Sequence, residues 1–116
     1  MEETLSLLDT WVKGAVEHQT IKISYYSGPI KNEVTEREVE PDFILTNEEW
    51  KEYGCWGFCR LRNQMRVFNV KGILQWNLTE NKFSPNPGGR WTELGEYYNS
   101  NNLSVRKSNQ VIGDQI

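Results

Sequence analysis

Arg60, Arg62 and Arg66 stand close together in a stretch, residues 53–79, that contains no acidic side chain; Lys71 adds a fourth positive group. Arg66 precedes Phe68 by two positions, so on a strand both side chains point to the same side. A guanidinium held beside an aromatic ring can pair bidentately with a phosphate while its plane stacks on that ring. Arg60 and Arg62 fall at the end of a predicted strand and in the loop after it, where binding groups commonly lie. Tyr25 and Tyr53 are expected to be exposed and to offer stacking surfaces for bases. Trp56, Phe58 and Trp76 are expected to serve mainly in packing. The chemistry these residues point to is capture of single-stranded nucleic acid or of a nucleotide-like anion. The competing use of Arg66 is to neutralise the run of Glu36, Glu38 and Glu40.

Other chemistries find less support. His18 has no serine or cysteine constellation near it in the sequence, so nucleophilic catalysis is not expected. The glycines do not form a phosphate-cradling loop, because Gly88-Gly89 lacks a following Lys-Ser or Lys-Thr. With one histidine and two cysteines, Cys55 and Cys59, no zinc ligand set is expected, and no cofactor. Four residues along a strand span about 13 Å, whereas a disulfide needs Cα atoms within roughly 7 Å. Both thiols are therefore expected to be reduced and buried, and the protein is expected not to be an enzyme.

A net charge of −3 argues against unselective coating of nucleic acid, which depends on neutralising many phosphates. That average conceals a division. Residues 33–52 carry Glu33, Glu36, Glu38, Glu40, Asp42, Glu48, Glu49 and Glu52, and the basic stretch follows directly. A protein acidic on average can still present one basic surface. No apolar run approaches the roughly 20 residues that cross a bilayer as a helix. The acidic start, Met1-Glu2-Glu3-Thr4, is unlike a secretory signal, so a cytoplasmic location without membrane association is expected.

These groups need a scaffold. Leu5, Leu8, Val12, Ala15 and Val16 recur at helical spacing and predict a helix over 3–18 that covers an open end of a sheet. From Ile21 the period changes to two, and short strands follow at 21–26, 33–41, 43–45, 53–61, 65–70 and 73–79. Pro41 is expected to end its strand or to mark an edge. Short strands at such intervals suggest a small barrel. Beyond position 84, Pro85, Pro87, Gly88 and Gly89 break the pattern. The rest is polar apart from Trp91, Tyr97 and Tyr98, which are expected to pin part of this tail to the barrel, and the last dozen residues are expected to be disordered.

Three segments occur in a telling order: Ile23-Ser24-Tyr25, then Arg37-Glu38-Val39-Glu40-Pro41, then Cys59-Arg60-Leu61-Arg62-Asn63-Gln64-Met65-Arg66-Val67-Phe68. This resembles the WYL domain family, in which a Tyr-bearing strand is followed by an Arg-Glu-Val-x-Pro element, a Trp-Tyr-Leu segment and an Arg-x-Phe strand. The resemblance covers 18–83. The namesake Trp-Tyr-Leu aligns with Tyr53-Gly54-Cys55, and the basic positions after Arg-x-Phe are Asn69, Val70, Lys71 and Gly72. The pocket used by the family would thus be altered here. The resemblance implies an SH3-like or Sm-like barrel of the kind found behind winged helices in bacterial regulators, where such domains sense nucleic acid or nucleotide-like ligands. With no winged helix in front, it implies a stand-alone, divergent sensor or accessory protein of bacterial or phage type.

The expectation is therefore a mainly β protein, with an N-terminal helix and small barrel over 1–83 and a polar C-terminal extension over 84–116. Its function would be transcription-related regulation through ligand binding by Tyr25, Tyr53, Arg60, Arg62, Arg66 and Phe68. The alternative is a protein-interaction barrel, an adaptor or inhibitor controlled by Trp91 and Tyr98. Exposed strand edges are compatible with a homodimer in either case.

Overall fold

The computed structural model describes residues 2–47, 52–85 and 87–93. One helix, α1 (Glu2–Glu17), precedes five strands: β1 (Gln19–Tyr26), β2 (Val34–Asn47), β3 (Glu52–Cys59), β4 (Gln64–Asn69) and β5 (Ile73–Lys82). They form a single antiparallel sheet in the order β4-β3-β2-β1-β5. The mainly β expectation with one helix is met. The sheet is open, with β4 and β5 at its two ends and no ladder between them among the described residues. A 3-10 turn, Val70–Gly72, carries the chain from one end strand to the other. The helix of the described residues is not long and apolar enough to cross a membrane, which says nothing about strands.

One correction concerns β2. Pro41 does not end its strand; β2 runs on to Asn47, absorbing the short run at 43–45. The pairing with β3 shifts register between Pro41 and Phe43. Proline has no N–H to give a ladder, and a bulge is where that loss is tolerated inside a sheet. The shift turns Phe43 to the face that carries Trp56, while Ile44 pairs with Cys55 on the inner side.

The inner face supplies Ile21, Ile23, Val39, Cys55, Cys59 and Phe68, all buried. Onto it α1 lays Leu7, Leu8, Trp11, Val12 and Ala15. Leu8, Val12, Ala15 and Val16 pack as their spacing predicts, and Leu7 and Trp11 widen the stripe to one side. Trp11 thereby becomes one of the largest fully buried side chains. Its ring lies 6.5 Å from that of Phe68, and its Nε1–H donates to the Trp56 carbonyl at 3.2 Å. Gly14 lets the helix approach: a Cβ there would fall 2.8 Å from Pro41 Cγ and 2.9 Å from the Gln19 carbonyl oxygen.

Both cysteines are free and buried, as their spacing on one strand requires. Desolvation pushes the Cys55 thiol far above its ordinary range. Of the C-terminal extension, residues 87–93 pack on the outer face of the sheet. Tyr97, Tyr98 and the last dozen residues lie outside the described residues.

Candidate ligand-binding site

Tyr25, near the end of β1, and Phe68, on β4, meet across the concave side of the sheet. Their ring centroids are 5.1 Å apart and nearly perpendicular, the favourable edge-to-face arrangement. The Tyr25 hydroxyl accepts the Asn69 backbone N–H at 3.2 Å, tying β1 to the end of β4 although no ladder joins them. Tyr25 and Tyr53 are not the exposed platforms expected. Both are half-buried against the core, because the strand face they share with Ile23 and Cys55 is the inner one.

Into this aromatic corner comes a residue that the family resemblance includes but that spacing alone did not single out. Arg37 of β2 is only 5% exposed. Its guanidinium carbon lies 5.5 Å from the Tyr25 ring centroid and 5.7 Å from that of Phe68. Its Nε–H donates to Thr35 Oγ1 at 2.9 Å, and Nη1 lies 3.8 Å from Cys59 Sγ. No carboxylate pairs with it among the described residues. Burying an unpaired cation costs several kcal/mol even after relaxation, and two ring faces return about 1–2 kcal/mol of that. The signal that could have found it is its place in the strand: Arg37 alternates with Val39, so it occupies an inner position where an apolar residue would be usual.

Arg66 pairs with Gly57 and lies on the same face of β4 as Phe68. It is half-buried, and no hydrogen bond or ion pair engages it among the described residues. Phe68 itself is wholly buried, so it supports the corner from beneath.

Arg60 and Arg62 are elsewhere. Asn63, in a left-handed conformation with φ 56°, closes the turn between β3 and β4 through its N–H to the Cys59 carbonyl at 2.7 Å. This turn leaves Arg62 exposed in solvent and directs Arg60 to the outer face. There Arg60 bridges Glu40 Oε2 through Nε at 3.0 Å and Glu38 Oε2 through Nη1 at 3.1 Å. The role weighed for Arg66, neutralising the acidic strand, belongs to Arg60. Glu38 Oε2 also accepts from Thr20 Oγ1 at 2.6 Å and from Asn81 Nδ2 at 2.9 Å. These hydrogen bonds, with the Arg60 charge, hold its carboxyl below the ordinary glutamate range despite partial burial.

Of the six residues expected in the site, Tyr25 and Phe68 meet at Arg37, and Arg66 lies on the same inner face. Tyr53 is also on that face, whereas Arg60 turns to the outer face and Arg62 is exposed.

The fold is thus a helix-covered antiparallel sheet with one arginine set between two aromatic rings on its inner face. The WYL domain model matches residues 6–78, and the chain belongs to the WYL domain family. The match begins inside α1, so the helix is part of the domain and not a separate lid. No curated protein matches the chain. Nine solved chains do. One is proteasome accessory factor B/C (PafBC) of Arthrobacter aurescens, similar over 71% of this chain and 12% of that one, with a TM-score of 0.62 and 17% identity. At that identity the likeness is one of fold, and the chain corresponds to a small part of the larger protein.

Proposed function

We propose that this WYL domain is a regulatory ligand-binding module, not an enzyme, and that it takes single-stranded nucleic acid or a nucleotide-like anion at the corner formed by Arg37, Arg66, Tyr25 and Phe68. One observation carries the reading: Arg37 is buried with only neutral partners among the described residues. A phosphate reaching it would supply the missing counter-charge, and Arg66 on β4 would supply a second contact. The strand order and the Tyr25–Asn69 tie support a small SH3-like or Sm-like barrel whose mouth is this corner. The net negative charge favours a ligand with few phosphates over a long polyanion.

The test is fluorescence anisotropy with a short labelled oligothymidylate and with cyclic nucleotides at several salt concentrations. Binding should weaken as salt rises, by about one counterion per phosphate contacted. Arg37→Gln and Arg66→Ala should each weaken it about tenfold or more, corresponding to loss of a charge-assisted bond of roughly 1.5–3 kcal/mol. Arg60→Ala should leave it unchanged, since Arg60 is engaged by Glu38 and Glu40. No binding by single-stranded RNA, DNA or any cyclic nucleotide would remove the proposal.

A further inference from the structure

A second cleft lies on the opposite face of the sheet. Its floor is the outer side of β2, β3 and β4, where Phe43, Leu45, Trp56 and Met65 stand side by side, and its far wall is Gly88 and Arg90. It encloses about 320 Å³, near the lower end of the range for small-molecule sites. The Arg90 guanidinium lies 3.8 Å over the Phe43 ring. It is held there by Glu93, which accepts from Nε at 2.8 Å and from Nη2 at 3.1 Å. The cleft thus has flat, fixed walls and an apolar floor.

Asp42 also lines it, and this residue is hard to explain by packing. It is 4% exposed, and Oδ1 accepts the Arg90 backbone N–H at 2.8 Å. Oδ2 is buried without a partner among the described residues. The Arg90 guanidinium pairs with Glu93. Among the described residues lining the cleft, Asp42 is the acid, and its Oδ2 is the buried polar atom left without a hydrogen bond. Burial accordingly pushes that carboxyl above the ordinary aspartate range, outweighing the opposing pull of the backbone N–H groups of Arg90 and Trp91. An unmatched acid beside an apolar slot calls for a cationic N–H donor on a flat apolar body.

We propose that this cleft is a separate binding site for a small aromatic amine, whose ring lies between Trp56, Met65 and the Arg90–Phe43 stack and whose ammonium donates to Asp42. The site shares no residue with the anion corner, and the ligand it selects has the opposite charge.

The experiment compares tryptamine with indole-3-propionate, a similar ring on an acidic tail. Affinities come from isothermal titration, and the site is read from the Trp56 indole N–H resonance in ¹⁵N-labelled protein. Tryptamine should shift that resonance and bind at least tenfold more tightly than the acid. Asp42→Asn keeps an acceptor for the Arg90 N–H and should erase the difference between the two compounds. Met65→Trp should fill the cleft and abolish tryptamine binding without lowering the melting temperature, while Arg37→Gln should leave it unchanged. Equal binding of amine and acid to the unaltered protein, an unmoved Trp56 signal at millimolar tryptamine, or unaltered binding by the Met65→Trp protein would each overturn the proposal.

Discussion

A guanidinium enclosed by two rings, a hydroxyl and a thiol is arranged for something other than stability. Replacing a buried, uncompensated charge with an apolar side chain of similar length is often neutral or favourable. Arg37→Met should therefore stabilise the ligand-free protein by about 1 kcal/mol, because the desolvation relieved exceeds the attraction between the cation and the two rings. Urea unfolding checks this, and a stability loss would mean that Arg37 is there to hold the core. Glu38 has the reverse character. Its carboxyl is held low in the folded state, so its contribution is present above the unfolded glutamate value and disappears as pH falls through the folded one. Glu38→Gln should melt below the unaltered protein at neutral pH, by about 1 kcal/mol, and the gap should close in acid. A gap that persists at pH 3 would assign the loss to shape and not to charge.

At the level of elements, period and punctuation in the sequence are enough to place α1, β1, β3, β4 and β5 to within a few residues, but they split β2 in two at Pro41. The helix face reads as 5-8-12-15-16 in sequence, and packing against Phe68 and Trp56 widens it to take in Leu7 and Trp11. In β2, Pro41 suggested a terminus because its missing N–H is visible in sequence, whereas the bulge that accommodates it depends on the facing strand. The candidate site was half legible for the same reason. Arg66 and Phe68 announce a shared face by their spacing of two, but Arg37 joins them only through pairing between distant strands. The closeness of α1 to β2 gives a test at this scale. Gly14→Ala would gain up to ~1 kcal/mol of helix propensity, but its methyl would meet Pro41 and the Gln19 carbonyl. Overpacking of this kind costs typically 1–3 kcal/mol. The expected net is a loss of about 1–2 kcal/mol in thermal unfolding, and a gain would show that the helix is free to lift.

Across the whole molecule the sheet separates three surfaces. Its inner side carries Arg37 against Tyr25 and Phe68, the outer side of β1 and β2 carries Glu36, Glu38 and Glu40 with Arg60 paired to the last two, and the outer side of β2 to β4 is apolar under residues 87–93. His18, a non-glycine residue at φ 58° between α1 and β1, meets residues 87–93 there: its imidazole lies 4.7 Å, edge-on, from the Trp91 ring. Trp91 thus pins this part of the extension to the domain, as expected.

The indole N–H of Trp11 reaches a carbonyl 45 positions further along the chain. During synthesis α1 must therefore wait until β3 and β4 have left the ribosome before its apolar side can be shielded. A nascent fragment ending at Asn47 should show no cooperative melt and should bind a hydrophobic dye, whereas one extended through Lys82 should do the reverse.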